Sequence, residues 1–254
     1  MHIYTCEDGF ENMMCCIYAA WEGALVSGHD NVRLVREPVE QVTFFDEYIH
    51  VDYDKDKFEK VVRSIRNKIS TEAFYYVYYA SLSAEEDALD SIYRFLVEGF
   101  KKGALVIYQY TVPAVSRIME IRRNVGNEAC HFKEFARFNS LDNKLYVCHL
   151  EPKNNVISIV GQHFADRMPS EYWLIIDDNR SIAVVHSKDE ENYLRVLTED
   201  EMNSLKRTEF MEDEYTKMWR TFFDAIAIKQ RENYACQRNL FPIWMRKHTT
   251  EFMK

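Results

Sequence analysis

KLYVCHLEPKNNVISIVGQHFADRMPSEYWLIIDDNRSIAVVH, residues 144–186, is the stretch that decides the fold class. Lys144 to Leu150 alternates as a strand does, Pro152 to Asn155 has turn chemistry, and Val156 to Arg167 reads as a helix. Tyr172 to Ile176 and Ser181 to His186 flank Asp177-Asp178-Asn179-Arg180, four residues suited to a turn, so they read as a hairpin. Tyr193 to Leu197 adds an expected edge strand.

Toward the N-terminus, Met1 to Cys6 reads as a strand. Asp8 is placed to cap a helix Phe10 to Glu22, whose Phe10, Met13, Met14, Ile17, Tyr18 and Trp21 make an apolar face. Gly23 and Gly28 are expected to break it, and Asn31 to Val35 to form a second strand. From Asp54 the pattern turns helical. Phe58, Val61, Val62, Ile65 and Ile69 mark one helix, and Ser70 starts another through the aromatic run Phe74 to Tyr79. Ser83 with Glu86 resembles a capping box for a third, Ala84 to Lys101, and Pro113 opens a long helix toward Phe132. The class is α+β, mostly helical with a small, mainly antiparallel sheet. A boundary near Lys102 divides 1–102, a βα plus helical region, from 103–254, a helix, an antiparallel sheet and a basic C-terminal region. A single domain is the alternative.

A chain of 254 residues with 47% hydrophobic and 14% aromatic content has material for a sizeable core. No apolar run approaches the ~20 residues that cross a bilayer, and the N-terminus lacks a signal-peptide pattern, so no membrane partner and a cytoplasmic location are expected. Six cysteines without a CxxC pair are expected to be reduced. GxGxxG, GxxxxGK[ST], GxSxG and HExxH are all absent, which argues against Rossmann dinucleotide binding, a P-loop, an α/β-hydrolase and a zincin. No cofactor is named by the sequence and no metal ligand set is assigned.

Charge is segregated: from Thr216 onward the chain carries +5, against −14 before it and −9 in all. Within that basic run Trp219, Phe222, Phe223 and Ile226 recur at helical spacing, an expected core-facing stripe, and Pro242 is expected to interrupt the helix before a restart at Trp244. A basic, aromatic terminus suits a nucleic-acid contact, and equally a solvated face over packed aromatics. Arg220, Arg231, Arg238, Arg246 and Lys247, with Lys133, Arg137 and Arg167 earlier in the chain, are the candidate phosphate contacts; pairing with acidic neighbours is the other reading.

Polar residues also gather in NEACHFKEFARF and GQHFADR. Glu128 and His131 share a helical face, as do His163 and Asp166, so facing helices could offer two carboxylates and two imidazoles for acid/base chemistry or an iron or manganese ion. A structural network is the third reading of the same residues. Cys130 beside His131 does not form a dyad, because helix neighbours point about 100° apart.

VGNEACHFKEFARF, EPKNNVISIVGQHFADRMPSEYWLIIDDNR, CQRNLFPIWMRKHTTEF and the opening YTCEDGFENMMCCIYAAWE resemble an uncharacterised bacterial family associated with DNA metabolism and DNA repair. The likeness runs over nearly the whole chain and falls on Glu128, Phe135, Arg137, His163, Phe164, Arg167, Trp173, Asp177, Pro242 and Glu251. The chain departs from the family pattern at Cys130-His131 and at Trp244-Met245-Arg246. The resemblance implies a setting, not a reaction: members are often encoded beside a radical-SAM protein of DNA repair or modification, and a related domain is fused to uracil-DNA glycosylase-like domains. No catalytic residue is carried over. Three functions are thus open: a DNA-binding accessory to the radical-SAM enzyme, an enzyme acting on a damaged or modified base through Glu128, His131, His163 and Asp166, or a protein-interaction module that never touches DNA.

Overall fold

A computed structural model describes residues 1–39, 42–142, 144–206 and 214–252. Two compact units are present, Met1–Gly126 and Asn127–Lys254.

The first unit is built on strand β1 (His2–Cys6), which is followed by helix α1 (Phe10–Ser27), strand β2 (Val32–Arg36) and strand β3 (Glu47–His50). β1 is the central strand, with β2 and β3 parallel to it on either side. Two expectations for α1 fail for long-range reasons. Asp8 does not cap it: the N-cap is Gly9 at φ +130, and Asp8 instead accepts from Arg36 at 3.3 Å. Gly23 does not break it, because the Tyr4 hydroxyl would lie 1.9 Å from a Cβ at that position. Glycine there makes room for Tyr4, and the helix continues until Gly28 at φ +83.

Helices α2 (Lys55–Lys68), α3 (Thr71–Ser81), α4 (Ala88–Lys102) and α5 (Pro113–Phe135) follow. The N-caps of α2 and α3 use local chemistry: Asp54 accepts from the amides of Asp56 and Lys57, and Ser70 Oγ accepts from Ala73 N. Ser83 accepts from Glu85 N, closing a turn, so α4 begins later than a capping box at Ser83 implies. Met13, Met14, Ile17, Ile65, Leu89, Ile92 and Phe95 are fully or nearly fully buried together. Val106, Val115, Ile118 and Ile121 belong to the same core, which is why this unit extends past Lys102 to Gly126, inside α5.

The second unit holds strand β4 (Asn139–Leu141), β5 (Leu145–Leu150), helix α6 (Ile157–Arg167), the hairpin β6 (Trp173–Asp177) and β7 (Ile182–His186), strand β8 (Tyr193–Val196), and helices α7 (Glu199–Lys206), α8 (Glu214–Ile226) and α9 (Tyr234–Leu240). The five strands lie in chain order, β4-β5-β6-β7-β8. β6 runs parallel to β5, because α6 returns the chain to the edge from which β5 set out; the other pairings are antiparallel. With one mixed sheet and one all-parallel sheet, the expectation of mainly antiparallel pairing is corrected, while the mostly helical α+β class stands.

Both faces of this sheet are covered. Trp173, Ile175 and Val184 share the face against α6, where a Cβ on Gly161 would come 2.7 Å from Val184 Cγ1. Val147, Ile176 and Ala183 on the other face pack with Leu197 and with Met202 of α7. Among the described residues no helix is long and apolar enough to cross a membrane. Lys254, counted in the basic C-terminal run, lies outside the described residues.

Candidate functional site

Each of the four residues expected to share acid/base work has its own surroundings. Glu128 is buried in α5, and its carboxylate accepts from Lys153 N at 2.6 Å, from Asn154 N at 3.2 Å and from the Asn154 side-chain amide. Burial pushes the Glu128 carboxyl up from its ordinary range, while the two backbone donors, the Asn154 amide and the Arg180 charge pull it back. His131 is half-buried one turn on. His163 packs edge-on against Phe164 at 5.1 Å, and Asp166 is exposed. No hydrogen bond or ion pair joins any of the four to another among the described residues. Asp166 faces an open cavity of about 670 Å³ lined also by Asp189, Glu190 and Glu191, a wall that repels phosphate.

The candidate phosphate contacts divide into two groups. Arg137 makes a two-pronged ion pair with Glu251, at 2.7 and 3.2 Å. Arg246 donates to Gln237 O and Phe241 O, satisfying carbonyls at the end of α9. Arg220 donates to Thr250 O, and Lys247 pairs with Glu151. These four are engaged in holding the C-terminal segment. Arg167, Arg231 and Arg238 are exposed, Lys133 is half-buried, and their side chains make no hydrogen bond or ion pair among the described residues.

The aromatic stripe of α8 also differs from expectation. None of its residues is buried: Trp219 is 39% exposed, Phe222 53% and Ile226 55%. The helical spacing predicts a core-facing stripe, yet the period of the pattern is the same whether the stripe meets a core or meets solvent. Tyr215, Met218, Tyr234, Leu240, Ile243 and Trp244 are exposed as well. Large apolar side chains left exposed along one helix make α8 a candidate contact surface.

A second constellation, unread in the sequence, lies where the parallel strands β5 and β6 end. His149 is on the last turn of alternation in β5, Glu151 follows that strand, Asp178 follows β6, and His248 comes from the C-terminal segment. His149 Nδ1 lies 3.1 and 3.2 Å from the two carboxylate oxygens of Asp178, and its Nε2 lies 3.2 Å from Leu205 O. Both ring nitrogens therefore face oxygen atoms. His248 Nε2 stands 3.6 Å from Glu151 Oε1 and 3.7 Å from Asp178 Oδ2. One donor atom each from Glu151, Asp178 and His248 lie within 4.8 Å of one another. The only signals in the sequence are a histidine inside an otherwise apolar strand and a doubled aspartate in the turn.

Beside this corner, Asp177 is fully buried. Burial raises its carboxyl, and Arg180, 2.9 Å away, opposes the shift. Arg180 also donates to Pro152 O at 3.0 Å, as does the Asn179 amide at 3.0 Å, so the hairpin turn is bonded to the loop that carries Glu151.

Residues 85–251 match the model of a family described as a domain of unknown function, DUF4130. The chain belongs to the DUF4130 family. The matched stretch includes the whole β5–β6 corner, Glu128 and the exposed face of α8. No curated protein and no solved structure matches the sequence.

Proposed function

We propose that this DUF4130 protein serves DNA metabolism as a nucleic-acid-binding accessory to a radical-SAM repair or modification enzyme, making its contact through the C-terminal segment. The observation that carries the reading is the exposed stripe of α8. An amphipathic helix that leaves Phe222 and Ile226 more than half exposed and Trp219 39% exposed has an apolar face open to a partner, and Arg231 and Arg238 on the following turns supply positive charge. Aromatic faces stack on unpaired bases of any identity, and each phosphate neutralised by a cation releases counterions. With a net charge of −9 the chain has no global attraction for polyanions, so binding depends on this local patch.

The test is fluorescence anisotropy with labelled single- and double-stranded DNA over a salt titration, repeated with the radical-SAM enzyme present. Binding that weakens steeply with salt and is lost on Phe222→Ser and Arg231→Ala supports the reading. Binding absent at all salt concentrations refutes the DNA contact; capture of the enzyme without nucleic acid then assigns the same face to protein docking.

A further inference from the structure

We propose that Glu151, Asp178 and His248 bind a divalent cation of the manganese, iron, cobalt or zinc class, independently of any nucleic-acid contact. The spacing of the three donors suits an ion. Two ligands held ~2.1 Å from one tetrahedral ion stand about 3.4 Å apart. The separations of 3.6 and 3.7 Å from His248 Nε2 to the two carboxylates are longer than hydrogen bonds and close to that value. A small inward movement of the side chains brings all three donors onto a common centre.

The three ligands are firmly delivered, each by a segment fixed through a different polar contact. The loop bearing Glu151 is held by Glu128, which accepts from the amides of Lys153 and Asn154, and by Arg180 on Pro152 O. The turn bearing Asp178 is closed by Asp177, whose Oδ1 accepts from Asn179 N and Arg180 N at 3.0 and 3.1 Å. The C-terminal turn bearing His248 is anchored by Glu251 on Arg137. His149 Nδ1 stands against both oxygens of the Asp178 carboxylate, as outer partners orient metal ligands elsewhere. Ligands positioned in advance bind an ion without the entropy cost of gathering them.

The donor chemistry selects the class. One imidazole with two carboxylates suits borderline divalent ions better than magnesium or calcium, which prefer all-oxygen shells. The Glu151 side chain is 28% exposed while those of Asp178 and His248 are 7% and 10% exposed, so the ion would be reached from the Glu151 side and keep open positions for water or a ligand oxygen. The Lys247 ammonium, paired with Glu151, is the resident competitor for the same negative charge.

The experiment uses the full chain, stripped with chelator, titrated with Mn²⁺ alone by electron paramagnetic resonance and with Co²⁺ alone by visible absorption. The expected result is one saturable site. Glu151→Gln and His248→Gln should each weaken Mn²⁺ binding by more than about tenfold, a loss that even an outer partner of a metal ligand can cause. Lys247→Met should tighten it, because the competing cation is gone, whereas a bystander lysine would leave it unchanged. Glu151→Gln and Lys247→Met alter partly exposed side chains, so their circular dichroism should match wild type even if His248→Gln unfolds. No saturable binding at millimolar Mn²⁺ or Co²⁺, full-strength binding by Glu151→Gln, or unchanged binding by Lys247→Met overturns the proposal.

Discussion

Replacing Arg137 with alanine separates two roles for the same guanidinium: a phosphate contact at the surface, or one half of an internal ion pair. Arg137 is 23% exposed at its side chain and Glu251 only 4%. The pair is two-pronged, and the guanidinium also lies 5.6 Å over the Trp219 ring. Removing one partner of a buried pair costs about 3–5 kcal/mol, because a carboxylate is left without its counter-charge. Here Trp219 Nε1 continues to donate to Glu251 at 3.1 Å and Arg137 is partly solvated, which places the loss at about 2–3 kcal/mol. With a urea slope of about 2 kcal/mol/M, the unfolding midpoint falls by about 1 M. Arg137→Met combined with Glu251→Leu removes both charges and should recover most of the loss, to within about 1 kcal/mol.

The sign of the pH dependence follows from Glu251. Burial alone would raise its carboxyl, but the bonds from Arg137, the backbone and Trp219 outweigh burial and hold it below the ordinary range. A depressed folded-state value adds stability that is present above the unfolded carboxylate value and vanishes as pH falls through the folded one. The gap between wild type and Arg137→Ala should therefore be full at pH 7 and close below about pH 4. The assays are urea denaturation followed by tryptophan fluorescence and DNA anisotropy against salt. An Arg137→Ala protein of wild-type stability whose salt slope has dropped by about 0.7–0.9 would refute the ion-pair account and restore the phosphate contact.

Three further outcomes are expected. Gly161→Ala should destabilise by about 1–3 kcal/mol in urea, since its Cβ would press on Val184, whereas Gly126→Ala, with nothing within 4 Å of the new methyl, should stabilise α5 by up to about 1 kcal/mol. Phe222→Ser with Ile226→Ser should leave the unfolding free energy from urea denaturation within about 0.5 kcal/mol of wild type, because both side chains are more than half exposed, and on the proposed contact should weaken DNA or partner binding by about tenfold. Glu128→Ala should cost about 2–4 kcal/mol, read by the same denaturation, by leaving the amides of Lys153 and Asn154 without their acceptor.

What could be read from the sequence follows the range of the interaction responsible. Ser70 and Asp54 cap their helices with their own side chains, Pro113 starts α5, and the residue 144–186 stretch folds as strand, helix and hairpin, since each depends on neighbours in the chain. The parallel pairing of β5 with β6, the space that Gly23 leaves for Tyr4 and the solvent exposure of α8 depend on residues brought together only by folding, and no local period encodes them.

The β5–β6 corner is the strongest instance, for its members come from four separated segments and none has a motif spacing. Glu128 and Arg137 stand out in the sequence itself and Asp177 and Glu251 through the family resemblance, and their positions explain the corner without any of them entering it. Each spends a charge on fixing backbone or a partner side chain, and each fixes a segment that ends in Glu151, Asp178 or His248. Burying charge costs free energy, and apolar packing could replace the Arg137–Glu251 pair at little loss, whereas Glu128 and Asp177 satisfy backbone amides that no apolar side chain could. Three independent polar clamps converging on one imidazole and two carboxylates are accounted for if the placement of those three groups is what the clamps serve. If the cation titration fails, the same geometry becomes a cluster of ion pairs, and Lys247→Met would then change stability alone.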